Sequence, residues 1–318
     1  MVDLIDTDVP TVLTPDGPNA IGRMLGLLGD EWNLLIIQQA LLGCSRYTQF
    51  MTRLPISNSV LTSRLGSLVT DGLLARKTHA STRARTEYLT TGRSRSLWPT
   101  LLAIWEWERN WVTEHRKTLP SMHHDACGSL FTPVLRCNAC QASATDTDVA
   151  LQLGPSGAWA RSAPAAATRR RSESDSARRQ VGLFPETMSV FGNRWAAALL
   201  MAAFLGTTRF TDFETQLGAP PSLLAERLQT FCAIGVFTTA PTERTGPERA
   251  AYLLTDKGRA FFPVLIAALQ WAQWWFQAPE GPALTITHHG CGADFTGELA
   301  CDQCAERLVG GQISTKAT

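Results

Sequence analysis

The sequence predicts a mainly α chain with small β hairpins, an α+β arrangement built as two copies of one design, each followed by a small metal-binding ribbon. Three observations predict it. The chain matches itself at an offset of 163 residues, amphipathic segments between capping residues recur in the same order in both halves, and the pattern His-x2-Cys-x9-Cys-x2-Cys occurs once in each half.

The self-match is dense. Gly29-Asp30-Glu31-Trp32 falls on Gly192-Asn193-Arg194-Trp195, Leu42-Gly43 on Leu205-Gly206, Arg64-Leu65 on Arg227-Leu228, and Gly72 on Gly235. After one inserted residue the offset becomes 164, and Tyr88-Leu89, Thr91, Arg95, Pro99, Trp107 and Trp111 fall on Tyr252-Leu253, Thr255, Arg259, Pro263, Trp271 and Trp275.

Taken in order, each copy opens with an apolar helix near Ala20 or Phe184, and a second helix follows Gly-x-x-Trp and ends at Leu-Gly. A short third helix carries Arg-aromatic-Thr-x-Phe. The fourth, Ser57 to Gly72 in the first copy, starts on capping residues and places Leu61, Leu65, Leu68 and Val69 at helical spacing. Its outward face is Ser57, Asn58, Ser59, Thr62, Ser63 and Arg64, small polar groups that suit base edges in a major groove, as on the second helix of a helix-turn-helix. An ordinary solvated helix face would show the same pattern. Gly72 and Gly235 can supply left-handed caps. Beyond Gly72, Leu73–Lys77 and Thr86–Leu89 read as strands of a hairpin wing around His79–Arg85. A closing helix is expected over Arg93–Arg116, and over Lys257–Phe276 in the second copy.

These motifs together resemble the HxlR-type winged helix-turn-helix regulators: Gly-x-x-Trp, Leu-x-Gly-x-x-Arg-aromatic-x-x-Phe, a Ser-rich helix ending Arg-Leu-x-x-Leu, and Tyr-x-Leu-Thr before a closing helix. The resemblance covers about residues 19–117 and 182–278. It implies two winged helix-turn-helix domains, sequence-specific binding of double-stranded DNA through reading helix and wing, and dimer contacts through terminal helices; a bacterial, nucleoid-associated regulator is expected, with repression the expected sign of control. Many members carry a sensing cysteine thirteen residues before the Trp; this chain has Asn19 and Gly182 there, which argues against thiol sensing by that route.

The closing helices hold Trp98, Leu101, Leu102, Ile104, Trp105 and Trp111, and Phe262, Leu265, Leu269, Trp271, Trp274 and Trp275. That is more apolar surface than one small module can bury, so a helix-to-helix interface is expected, as an intrachain pseudo-dimer or a homodimer. A ligand pocket is a lesser alternative.

The metal signal is the most specific chemistry. His124, Cys127, Cys137 and Cys140 form one pattern, and His288, Cys291, Cys301 and Cys304 the other. One imidazole and three thiolates make the closed tetrahedral set of structural zinc, so two Zn2+ sites are expected, one per pattern, with Phe131 and Phe295 as their small cores. A redox-releasable zinc is the alternative. Cys44 and Cys232 lack partners at ligand spacing and read as small buried hydrophobes.

The expected domain series is an arm over 1–18, a winged module over 19–118, a ribbon over 119–160, a linker over 161–181, a second module over 182–279, a second ribbon over 280–310 and a tail over 311–318. Within the first ribbon, Val149–Ala160 can close as a hairpin around Gly-Pro-Ser-Gly. Net charge is only +1, so any basic surface must be local. From Arg46 to Arg95 nine basic residues, among them Arg76, Lys77, Arg83 and Arg85, meet two acidic ones, a net of +7. From Arg209 to Arg259 six basic residues meet six acidic ones. The first module is therefore expected to dominate DNA contact, with Ser222 and Arg227 as the second copy's contacts beside an intrusive Glu226. The acidic start and lack of a long apolar run point to a cytoplasmic chain with no membrane partner. No nucleophile, base and acid recur at suggestive spacing, which speaks against an enzyme. The competing class is a zinc-stabilised interaction scaffold with degenerate winged helices.

Overall fold

The computed structural model of the chain describes residues 9–79, 85–162, 184–241 and 250–315. A short strand β1 (Thr11–Val12) precedes α1 (Ala20–Leu28), α2 (Glu31–Leu41), α3 (Tyr47–Arg53) and α4 (Asn58–Thr70). The wing β2 (Leu74–His79) and β3 (Arg85–Thr90) follows, then a one-turn helix α5 (Gly92–Arg95) and the long α6 (Trp98–Trp111). The first ribbon segment supplies β4 (Met122–His124), β5 (Ser129–Leu130), β6 (Pro133–Cys137), β7 (Val149–Leu153) and the turn helix α7 (Trp159–Ser162). The second copy repeats the order: α8 (Pro185–Val190), α9 (Arg194–Phe204), α10 (Phe210–Leu217), α11 (Pro221–Ala233), wing strands β8 (Phe237–Pro241) and β9 (Ala250–Leu254), α12 (Asp256–Arg259) and α13 (Phe262–Trp275). It ends with β10 (Phe276–Gln277), β11 (Leu284–His288), β12 (Gly297–Cys301) and β13 (Ile313–Thr315). Among the described residues no helix is long and apolar enough to cross a membrane.

Local chemistry explains the matched boundaries. Asp30 caps α2 by accepting from the backbone N–H of Trp32 and Asn33, and Asn193 caps α9 in the same way from Trp195 and Ala196. Gly43 and Gly206 end these helices at the same φ of 93°, and Gly72 and Gly235 turn into the wings at 72° and 73°, left-handed values that favour glycine. The threonine of each Tyr-x-Leu-Thr then locks the wing's exit to the reading helix: Thr91 Oγ1 donates to the Gly72 carbonyl at 2.8 Å, and Thr255 Oγ1 to that of Gly235 at 2.6 Å.

The closing helices are shorter than predicted. Each breaks between its one-turn start and the main helix, at Ser96-Leu97 and Ala260-Phe261, and α6 stops at Trp111 rather than Arg116. Pro99 and Pro263 lie one residue inside α6 and α13; a ring without an N–H cannot continue a preceding turn, so a new helix starts there.

The halves pack about a pseudo-twofold, with α6 against α13 at its centre and α1 against α13 beside it. Two equivalent bonds cross it: Trp107 Nε1 donates to the Lys257 carbonyl at 2.9 Å, and Trp271 Nε1 to the Arg93 carbonyl at 2.8 Å. Large aromatics thus bury area while their polar tips find a partner. The arm crosses too, as β1 pairs in parallel with β10.

One buried carboxylate has no counterpart in the other half. Glu108 on α6 is fully buried and accepts from the Thr187 backbone N–H at 2.8 Å and from its hydroxyl at 2.5 Å, at the start of α8, while His115 Nδ1 lies 2.7 Å away. Removing the carboxylate would orphan those donors in a dry site. Glu108→Ala is expected to lower the unfolding free energy by about 3 kcal/mol, read from the denaturant midpoint, with Glu108→Gln, which keeps an acceptor, losing less.

Candidate nucleic-acid interface and metal centres

The expected reading helix is α4. Leu61, Leu65 and Leu68 are buried, whereas Ser57, Asn58, Ser59, Thr62 and Ser63 are exposed along one face. Ser57 is its N-cap, accepting from Val60 N–H. Tyr47 of α3 steadies this face, donating to the Asn58 carbonyl at 3.0 Å and lying within hydrogen-bond reach of Asn58 Oδ1 and Thr62 Oγ1. Arg64 lies elsewhere. Its guanidinium grips Asp30 by two bonds, Nε to Oδ1 at 3.1 Å and the terminal nitrogen to Oδ2 at 2.7 Å, so it ties α4 to the cap of α2.

On the wing, Arg76 and Lys77 are exposed; Arg83 lies outside the described residues, and only the backbone of Arg85 is placed. In the second copy Ser222 is exposed near the start of α11, while Arg227 is mostly covered and 3.1 Å from Glu226. Two further cations of that copy are engaged by acids from outside its reading region: Lys257 by Glu186, and Arg259 by Asp146 of the first half.

Asn19, at the position where a sensing thiol was considered, is a buried keystone. Its Oδ1 caps α1 at Gly22, and its Nδ2 donates to the Ser156 carbonyl at 2.8 Å and to Ser162 Oγ at 2.7 Å. Cys44 is buried; Cys232 is partly covered, and burial pushes its thiol up.

The eight metal-type residues do come together, but in a different grouping from the two sequence patterns. One cluster is His124, Cys127, Cys301 and Cys304; the other is Cys137, Cys140, His288 and Cys291. Each joins the His-x2-Cys of one copy to the Cys-x2-Cys of the other. The reason is strand pairing. β6 and β12 lie antiparallel across the pseudo-twofold, Cys137 opposite Gly297 and Pro133 opposite Cys301. A five-residue strand carries its terminal cysteine about 17 Å along, away from its own His-x2-Cys and onto the partner copy's. The flanking strands exchange as well: β7 pairs with β11 and β13 with β4. Val149–Leu153 is therefore not half of a local hairpin, as its sequence suggested.

The geometry suits a tetrahedral ion. Sulfur–sulfur separations of 4.0 Å (Cys127 to Cys301) and 3.9 Å (Cys137 to Cys291) accompany sulfur–nitrogen separations of 3.3–3.5 Å to His124 and His288 Nδ1. Zinc bonded at about 2.3 Å to sulfur and 2.05 Å to nitrogen would set edges of about 3.8 and 3.6 Å. Both histidines are buried, packed on Phe131 and Phe295 with ring centroids at 6.0 and 5.8 Å. The thiols are electrostatically crowded. The Ser129 backbone N–H and His124 bring Cys127 down to about 7, whereas Cys291 and Cys304, although each accepts from a backbone N–H, are raised by burial and by their neighbouring thiols. Four such donors around one point can hold a metal ion.

Comparison with known proteins places the fold. The model of the HxlR-like helix-turn-helix family matches residues 27–116 and again 190–280. An uncharacterized HTH-type transcriptional regulator of Mycobacterium tuberculosis is 32% identical over 127 residues, 40% of this chain and 80% of its own. YvaP of Bacillus subtilis, another uncharacterized HTH-type transcriptional regulator, is 32% identical over 29% of this chain and 85% of its own. A solved structure described as a candidate transcription factor is 34% identical, aligned over 35% of this chain and 78% of its own with a TM-score of 0.32. The two family matches fall one in each half and together span more than half of the chain; the protein belongs to the HxlR-like helix-turn-helix family.

Proposed function

We propose that this chain regulates transcription by binding double-stranded DNA sequence-specifically as an intrachain pseudo-dimer, with the first module making the stronger contact. The observation that carries the reading is the exposed hydroxyl and amide face of α4 beside the exposed cations of β2, on a module matched by the family model. Ser57, Asn58, Ser59, Thr62 and Ser63 read base edges. Arg76, Lys77, Arg83 and Arg85 meet phosphate or the minor groove, and Arg64 holds the helix at its angle. Ser222 and the exposed start of α11 face a weaker half-site, about one helical turn away.

Two zinc ions hold the ribbons, bound by His124, Cys127, Cys301 and Cys304 and by Cys137, Cys140, His288 and Cys291. Four protein ligands leave no open position, so the ions are structural. Relatives carrying regulator names support the regulatory reading.

The test is genome-wide mapping with the full chain, followed by footprinting of the recovered site. An unequal pair of half-sites is expected, and Asn58→Ala should change the preferred base in the stronger one by about 1–3 kcal/mol of discrimination. Absence of enriched sites, with a protein partner recovered independently of DNA, would favour the scaffold instead.

A further inference from the structure

The duplication builds two equivalent cavities, one on each side of the pseudo-twofold, and they have diverged. The larger, about 400 Å³, lies where α6 and the first ribbon meet the α12–α13 corner of the other half. Trp107, Trp111, Phe262 and Pro263 form its apolar wall. Its twin, about 310 Å³, is walled by the residues 164 positions away: Trp271, Trp275, Trp98 and Pro99.

Their charges differ. The larger cavity is lined by three carboxylates, Glu106, Asp146 and Asp256, and one guanidinium, Arg259, which pairs with Asp146. The formal balance is −2. In the twin the equivalent positions hold Gln270, Gly310 and Gly92. Its own two charges, Glu298 and Arg307, lie 3.7 Å apart and cancel, and Trp274 fills the place of Asn110. All three carboxylates thus lie at positions where only one copy is acidic, and they converge on a single aromatic-walled space.

Such a space has a definite ligand preference. Aromatic faces attract cations, the more so when water is excluded, and a carboxylate partly removed from water gains more from an opposite charge than one in bulk water. Burial already pushes the Glu106 carboxyl up, although Asn110 donates to it and Arg109 lies near, which is the condition an incoming cation relieves. The volume falls within the usual range for small-molecule sites.

We infer that this cavity binds a small organic cation with an apolar or aromatic body, such as an aryl-alkyl ammonium, with Glu106 and Asp256 meeting the charge and the exposed ring of Trp111, beside Pro263, the body. Its walls come from both halves, so occupancy adds a contact across the pseudo-twofold. The inference goes beyond the DNA reading and is independent of it, because binding is measured without DNA.

The test is calorimetric titration of the full-length, zinc-loaded protein with benzyltrimethylammonium and with N-benzylacetamide, a neutral probe of similar size. The cation is expected to bind at least about tenfold more tightly. Glu106→Gln should remove most of that margin and leave the neutral probe's affinity unchanged, while Trp274→Asn in the twin should leave both unchanged. Should Glu106→Gln fail to fold, Asp256→Asn carries the same expectation. Equal affinity for the two probes, no binding of the cation, or a margin that survives both substitutions would overturn the assignment.

Discussion

A chain carrying Cys127→Ala with Cys140→Ala is expected to keep no chelator-resistant zinc, although both residues belong to one sequence pattern. The first substitution strikes the cluster of His124, Cys301 and Cys304, and the second strikes that of Cys137, His288 and Cys291. Cys127→Ala with Cys304→Ala, drawn from different patterns, should keep one zinc, because both losses fall on one cluster. Grouping within each pattern reverses both outcomes, so metal analysis after EDTA dialysis decides between them. The effect on stability is large. Structural zinc is worth about 10–16 kcal/mol of apparent binding energy in zinc-finger peptides at neutral pH, and here an ion held by either cluster would join the two halves. The first variant should therefore lose its ribbon transition on heating, while the second keeps part of it.

Replacing Arg76, Lys77, Arg83 and Arg85 together by Ala should weaken binding to every DNA sequence and flatten its salt dependence. Four phosphate contacts contribute about 3.6 to the slope of log affinity against log salt, so over a fourfold rise in salt the parent should lose about 150-fold more affinity than the variant. Arg244→Ala with Arg249→Ala, in the second copy's corresponding region, should change the slope less, since there basic and acidic residues balance. Equal slopes for parent and the four-residue variant, measured by titration at several salt concentrations, would remove the first module's dominance.

What could be read from sequence was what is encoded locally. Helix α4 was legible because its cap, its leucines and its terminal glycine lie within one stretch, and the eight clustered His and Cys residues because x2 spacing fixes two of them on one knuckle. The grouping of those knuckles was not legible. An x9 spacing is compatible with closure inside one copy, and what decides otherwise is the pairing of β6 with β12, strands 164 residues apart. The pairing of Arg64 was not legible for the same reason: its partner Asp30 lies 34 residues earlier and already serves as a helix cap. The break in each closing helix did carry a local signal, Pro99 and Pro263, which outweighs the continuous apolar pattern around it. Glu108 went unnoticed because an acid among tryptophans reads as solvated until its partner at Thr187 is known.

The exchange of ribbon strands also sets an order of events during synthesis. Cys127 lies 174 residues before Cys301, and Cys140 lies 148 before His288. At translation rates of about 5–20 residues per second, the N-terminal half spends roughly 7–35 s outside the ribosome with one thiol–imidazole pair, His124 and Cys127, and one thiol pair, Cys137 and Cys140, open before their complements emerge. During that interval the cross-half grouping of these donors cannot form, and two nascent chains could trade ribbon strands.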